Sequence, residues 1–193
     1  MAITTRKAAE KDTSGQSSNG KRGLAMRKLS ASVELTTPTD LSVEEREAVA
    51  AAINPIIADA FALYVKTKNF HWHLSGAHFR DYHLMFDEQA ESILGCIDIL
   101  AERLRKIGCT TLRSIGDISR TQTIQDDDDA FVPAEEMISR LLADNRHVAR
   151  AVRDAIELTE EKRDSPTSNL LQETLDQTER RIWFLFEISV GAS

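Results

Sequence analysis

One stretch limits what this chain can become. From about His78 to Ile107 there is no proline, and apolar residues recur with helical spacing at Phe79, Tyr82, Phe86, Ile93, Leu94, Ile97, Leu100 and Leu104. Placed after the turn signal Ser75-Gly76, this reads as one long amphipathic helix. The same region collects the residue types that ligate metals. Four of the five histidines, His71, His73, His78 and His83, fall within thirteen residues, followed by Asp87, Asp98 and Glu102.

Spacing carries the argument. At about 100° per residue, His83, Asp87, Asp98 and Glu102 lie near 0°, 40°, 60° and 100°, so all four share one helix face. Imidazole with carboxylate suits iron, zinc or manganese, and open positions in such a set suit redox iron. One chain cannot close the site, because Asp98 and Glu102 begin roughly 17 Å along the helix from His83 and Asp87. An identical helix packed antiparallel across a two-fold axis near Ser92 and Ile93 brings the first pair of one subunit to the second pair of the other. Two equivalent interface sites result. His71, at the end of the preceding helix, folds back beside His83 and is a candidate fifth ligand. A single pair at i, i+4 is ordinarily a solvated face. Two pairs in register on an apolar helix weigh toward a metal site, since a carboxylate buried there needs a partner or a metal. His73 and His78 fall out of register and read as turn or surface residues.

The order His71-Trp72, Gly76, Phe79, His83, Phe86-Asp87-Glu88, Asp98 and Ala101-Glu102-Arg103 resembles the signature of the Dps family, the DNA-binding mini-ferritins of starved bacterial cells. The resemblance covers residues 41 to 190. It implies that His71, His83 and Asp87 are catalytic metal ligands of a ferroxidase site given by one subunit. Asp98 and Glu102 are then those given by its two-fold mate. Lys68 matches a lysine near that site, and Trp72 the aromatic beside it. The resemblance further implies oxidation of Fe(II) to Fe(III), preferably by hydrogen peroxide, with the mineral held in a hollow dodecamer. It also implies protection of DNA against oxidative damage in the cytoplasm, at the nucleoid. The family's acidic pores lie near the turn between the last two helices. Here Glu160, Glu161 and Asp164 stand there, with Asn169 where a carboxylate often occurs.

Residues 1–33 differ in kind from the rest. Arg6, Lys7, Lys11, Lys21, Arg22, Arg27 and Lys28 face only Glu10 and Asp12, a net of +5, so a chain at −7 carries −12 on the remainder. The segment is rich in Ser, Thr and Gly, and residues 1–40 are expected to be a disordered basic arm. Such an arm neutralises DNA phosphates without reading bases, while the acidic body is unsuited to hold DNA directly. The competing reading is a solubilising tail.

Ser42 with Glu45 is a capping box that opens a first helix, and Ile57, Phe61, Tyr64 and Val65 carry it to the HWHLSG turn. Pro55 predicts a bend or a restart within it. Between Gly108 and Val132 lies a connection long for an ordinary loop, with a weakly apolar piece, TLRSIGDIS, suited to a short helix crossing the dimer face. The tetrad Asp126 to Asp129 reads as a solvated loop whose charges favour the next helix start. Pro133 fits a first helical position. Met137, Leu141, Val148, Val152 and Ile156 mark a third helix; Ser165-Pro166 signals a restart; Leu171, Leu175, Ile182 and Leu185 carry a fourth, with IWFLF as core or subunit packing.

The expected fold is all-α. Residues 41–193 form a ferritin-like four-helix bundle, with a short extra helix in the long connection between its second and third helices. No Glu has His three residues on, which counts against a di-iron site inside the bundle and favours the interface site. No unbroken run of about 18 apolar residues predicts a membrane span. Cys96 and Cys109 have no CxxC spacing and read as free thiols in a reducing compartment. Two other readings stand beside iron oxidation and storage. One is a nucleoid-compacting structural protein with an idle metal site; the other is a zinc- or manganese-loaded site without redox function.

Overall fold

The structure, a computed structural model, describes residues 35–191. Five helices follow in order: α1 (Val43–His73), α2 (Phe79–Lys106), α3 (Ile115–Thr121), α4 (Ala134–Glu161) and α5 (Ser165–Gly191). Helix α1 packs along α2 and α4 along α5; α1–α4 and α2–α5 contacts join the two hairpins into a bundle, and α3 lies against α1. The core is built from Ile53, Ile57, Leu63 and Phe70 of α1, Phe86, Ile93, Leu100 and Leu104 of α2, Met137, Leu141 and Val152 of α4, and Leu171 and Leu185 of α5. Each such side chain removed from water stabilises the bundle by about 1.5–3 kcal/mol.

Local chemistry sets the helix ends. The Ser42 side chain accepts from the Glu45 N–H while Glu45 accepts from the Ser42 N–H, so the capping box forms. Helix α1 then runs without a restart through Pro55. At the end of α2, Gly108 takes φ +79° and donates to Arg105 O, while Cys109 N–H reaches Leu104 O. A Cβ there would meet Arg46 Nη1 at 2.8 Å and the Thr37 backbone at 3.0 Å, so the turn requires glycine. The segment before α1 is tied to the same corner: Arg105 donates to Leu35 O at 2.8 Å and Thr37 Oγ1 to Arg105 O at 3.0 Å.

Pro133 stands one residue outside the position expected for it. It is the N-cap of α4, and its carbonyl accepts the first helical bond, from Met137 N–H at 2.9 Å. At the last turn, α5 starts at Ser165, with Asp164 Oδ1 accepting from Thr167 N–H at 3.2 Å.

The crossover between α2 and α4 is fastened by polar groups. Asp59, 2% exposed on α1, accepts from Thr123 N–H at 2.5 Å, Thr123 Oγ1 at 2.7 Å and Ile124 N–H at 3.0 Å. Asn54 bonds Thr110 O and Thr111 Oγ1. The Asp126–Asp129 tetrad is not simply solvated, as the charge run had implied. Arg140 reaches back from α4 to Asp127 at 2.8 Å and Asp129 at 2.7 Å, and the Asp127 side chain is nearly buried. Asp164, one of the carboxylates available at the turn between the last two helices, is also engaged within the chain. It is buried, holding Arg103 at 2.6 Å and capping α5, because a carboxylate at that turn satisfies both a helix start and a guanidinium.

Helix α1 contains an 18-residue window apolar enough to cross a membrane, with mean hydropathy 1.7, although the sequence shows no unbroken apolar run. In the bundle 56% of that window is buried, and the helix carries buried Asn54, Asp59 and Lys66, the last paired with Asp144 at 2.7 Å. A core helix accounts for its hydropathy.

Candidate metal centre

The α1–α2 hairpin brings two predicted ligands into contact. His71, on the last turn of α1, and His83, on the second turn of α2, stack with ring centroids 3.7 Å apart and planes 20° apart. Each ring reaches the other residue's backbone. His71 Nδ1 lies 2.8 Å from His83 O, and His83 Nδ1 lies 3.0 Å from His71 O. A carbonyl only accepts, so both Nδ1 atoms donate and both protons sit there. The two Nε2 atoms make no hydrogen bond among the described residues. This is the arrangement metal-binding imidazoles use, with one nitrogen fixed by a carbonyl and the other open. Phe79 stacks on the far side of His83 at 5.0 Å.

Asp87 follows one turn after His83, and its Oδ1 takes a short hydrogen bond from Lys68 Nζ across the hairpin. That bond, helped by the charge of Lys68 and the nearby histidines, holds the Asp87 carboxyl below the usual carboxylate range. It raises Lys68 correspondingly. One carboxylate oxygen is thus engaged by an ammonium, and the other is left over.

Asp98 and Glu102 are exposed and remote from this cluster. Glu102 pairs with Lys106 at 3.3 Å, and Asp98 makes no hydrogen bond or ion pair among the described residues. No three His, Cys, Asp or Glu side chains among the described residues converge well enough to hold a metal. The face that carries all these groups also exposes apolar side chains: Leu84 at 47%, Leu94 at 45% and Ile99 at 46%. An apolar stripe interleaved with carboxylates is unusual for a surface that meets only water.

Other expectations divide. His73 and His78 are exposed, as their register implied, with His73 Nδ1 bonded to Asn69 O and His78 at the N-cap of α2. Trp72 stacks on neither histidine and is 64% exposed. Phe79, one of the apolar residues of the helical spacing, is 45% exposed and lies against His83. The reciprocal His–carbonyl pair had no signal in the sequence, because its acceptors are backbone atoms. Of IWFLF, only Leu185 enters the core fully, while Trp183, Phe184 and Phe186 are exposed. Arg6, Lys7, Lys11, Lys21, Arg22, Arg27 and Lys28 lie outside the described residues.

Comparison with known proteins gives a consistent placement. A model of the Ferritin-like domain family matches residues 50–189. DNA protection during starvation protein 1 of Deinococcus radiodurans is 30% identical over 145 residues, 75% of this chain and 70% of that protein. A low temperature-induced protein of Nostoc sp. is 30% identical over 146 residues, 75% of this chain and 82% of its own length. The solved structure of DpsC from Streptomyces coelicolor superposes with a TM-score of 0.76 at 29% identity, covering 79% of this chain and 89% of that one. With a family model over residues 50–189, a relative at 30% identity across three quarters of the chain and a shared fold, this chain belongs to the Dps family of ferritin-like proteins.

Proposed function

We propose that this protein oxidises and stores iron at sites shared between two subunits. The observation that carries the reading is the half-formed centre. Two stacked imidazoles and the Asp87 carboxylate lie on one hairpin without converging on a site by themselves, while two more carboxylates wait on the same helix face, roughly 17 Å away. The exposed Leu84, Leu94 and Ile99 along that face supply the contact an antiparallel copy of α2 would cover. His71, His83 and Asp87 of one subunit then meet Asp98 and Glu102 of the mate.

This donor set fits iron. Neutral imidazoles capture Fe(II), and the carboxylates favour the more highly charged product. Hydrogen peroxide takes one electron from each of two ferrous ions; its O–O bond breaks, and two protons complete two waters. The ferric product is mineralised within a hollow dodecamer. The basic arm of residues 1–33 adds non-specific binding to duplex DNA, which protects the DNA and places the protein at the nucleoid in the cytoplasm. Deleting the arm is expected to abolish gel shifts, and with it log affinity falls by about 0.9 per phosphate for each unit of log salt.

The deciding experiment is anaerobic Fe(II) titration with ions counted per subunit, then peroxide addition. Wild type binds stoichiometrically and oxidises rapidly. Unchanged oxidation in the Asp98→Ala, Glu102→Ala double variant sinks the proposal. One observation favours a second reading: Lys68 already occupies Asp87, as it would in a DNA-compacting protein with an idle site. Iron oxidation rates measured beside gel shifts separate the two. Metal analysis of protein from iron-replete cells tests a resident zinc or manganese.

A further inference from the structure

Away from the histidine cluster, the groove between α2 and α5 holds a buried cation that no carboxylate neutralises. Arg181 is 5% exposed. Its Nε donates to Asn145 Oδ1 at 2.8 Å, Nη1 to Ser92 Oγ at 3.0 Å and Nη2 to Thr178 Oγ1 at 2.8 Å. All three acceptors are neutral, and no ion pair to Arg181 forms among the described residues. A guanidinium has five N–H donors, so two remain. Burial pushes its pKa down to about 10, which still leaves it charged at neutral pH.

Gln89 stands in the same groove, 6% exposed, and neither of its amide atoms has a partner. Buried polar groups left this way are rare and mark a missing partner. An open cleft of about 400 Å³ adjoins both residues, lined also by Glu88, Ser92, Gln177 and Arg180. The Arg180 guanidinium sits over the Phe184 ring at 5.6 Å, which places it at the rim.

We propose that this cleft binds a tetrahedral oxyanion of the phosphate class, held by Arg181, Gln89 and Ser92 at its floor and Arg180 at its mouth. Water can fill the space but cannot neutralise a desolvated cation, whereas an oxyanion accepts from both guanidinia and from neutral donors at once. With Glu88 on the rim the lining retains a net charge of +1, in a body that is otherwise acidic. The ligand is inorganic phosphate or the phosphate of a small monoester, both of which the cleft admits.

The test uses the full-length, iron-free assembly, so its outcome is independent of ferroxidase activity. Phosphate and glycerol phosphate are titrated by calorimetry at constant ionic strength, with chloride as the balancing salt and acetate as a planar control. The proposal expects a saturable heat and a melting temperature that climbs with phosphate concentration. It expects Arg180→Ala to weaken binding about tenfold and Gln89→Leu to weaken it with the guanidinia intact. Arg181→Met should abolish it. A response to inorganic phosphate alone assigns the free ion, and a stronger one to glycerol phosphate assigns a monoester. Silence toward both, acetate binding as tightly as phosphate, or unchanged binding in both Arg180→Ala and Gln89→Leu overturns it. The last two variants decide the matter even if Arg181→Met does not assemble.

Discussion

A shared centre makes a quantitative prediction that a centre within one chain does not. Take two variants, His83→Ala and the Asp98→Ala, Glu102→Ala pair, each expected to be inactive alone. The alanine at 83 keeps the backbone carbonyl that fixes His71, so that ring stays oriented. In a dimer with one copy of each variant, one interface site inherits both lesions and the other inherits neither. Random pairing makes about half of the dimers mixed, and half of the sites in those are whole, so the population recovers about a quarter of the wild-type rate. Co-expressing differently tagged chains and selecting assemblies that carry both tags raises that fraction. Activity is followed as peroxide-driven formation of ferric product, and native mass spectrometry counts the mixed assemblies. Recovery no greater than in the parents, with mixed dimers demonstrably present, refutes intersubunit sharing.

Three other outcomes follow from named contacts. Asp59→Ala strands the buried Ile124 N–H and removes the acceptor of the Thr123 N–H and hydroxyl, and should cost about 2 kcal/mol in chemical unfolding; a loss under about 0.5 kcal/mol contradicts the account. Gly108→Ala forces a Cβ into a left-handed residue against the Thr37 backbone and should cost about 2 kcal/mol by the same measurement. Lys68→Met should raise the titration midpoint of Asp87 by NMR and tighten the first Fe(II), since the competing ammonium is gone. The sign is fixed by linkage. Asp87 is depressed, so its contribution is complete above the ordinary carboxylate value of about 4 and fades as pH falls through its lower folded value. Lys68 is raised, so its contribution is complete below about 10.4 and is lost as pH climbs past its folded value. The pair lies partly in water, so the stability involved is small, and the profile should be flat between those limits.

The helices and the shared face of α2 were legible because both rest on local periodicity. Ser42 and Glu45 announce the start of α1, and His83, Asp87, Asp98 and Glu102 announce one side of α2. What escaped is contact between elements distant in the chain. Nothing near Asp59 shows that it will hold Thr123, or near Arg140 that it will gather Asp127 and Asp129. Arg181 and Gln89 were the hardest to see. Each looks like a residue for water, yet the bundle buries both, Arg181 against Asn145 of α4 and Gln89 in the groove beside it. Pro55 left a bend or a restart open, and of the two α1 shows no restart, carrying the proline within one helix.

The fastening of the crossover to Asp59 also bears on the order in which the molecule assembles. The α1–α2 and α4–α5 hairpins join neighbours in the chain and can form early, whereas the Asp59–Thr123 clasp closes a loop across 64 positions. A contact of that sequence separation is expected to close after the rate-limiting step. Weakening it should therefore leave refolding nearly as fast as before and make unfolding faster. The strap then sets how long the native bundle lasts once formed, and has little say in how quickly it appears.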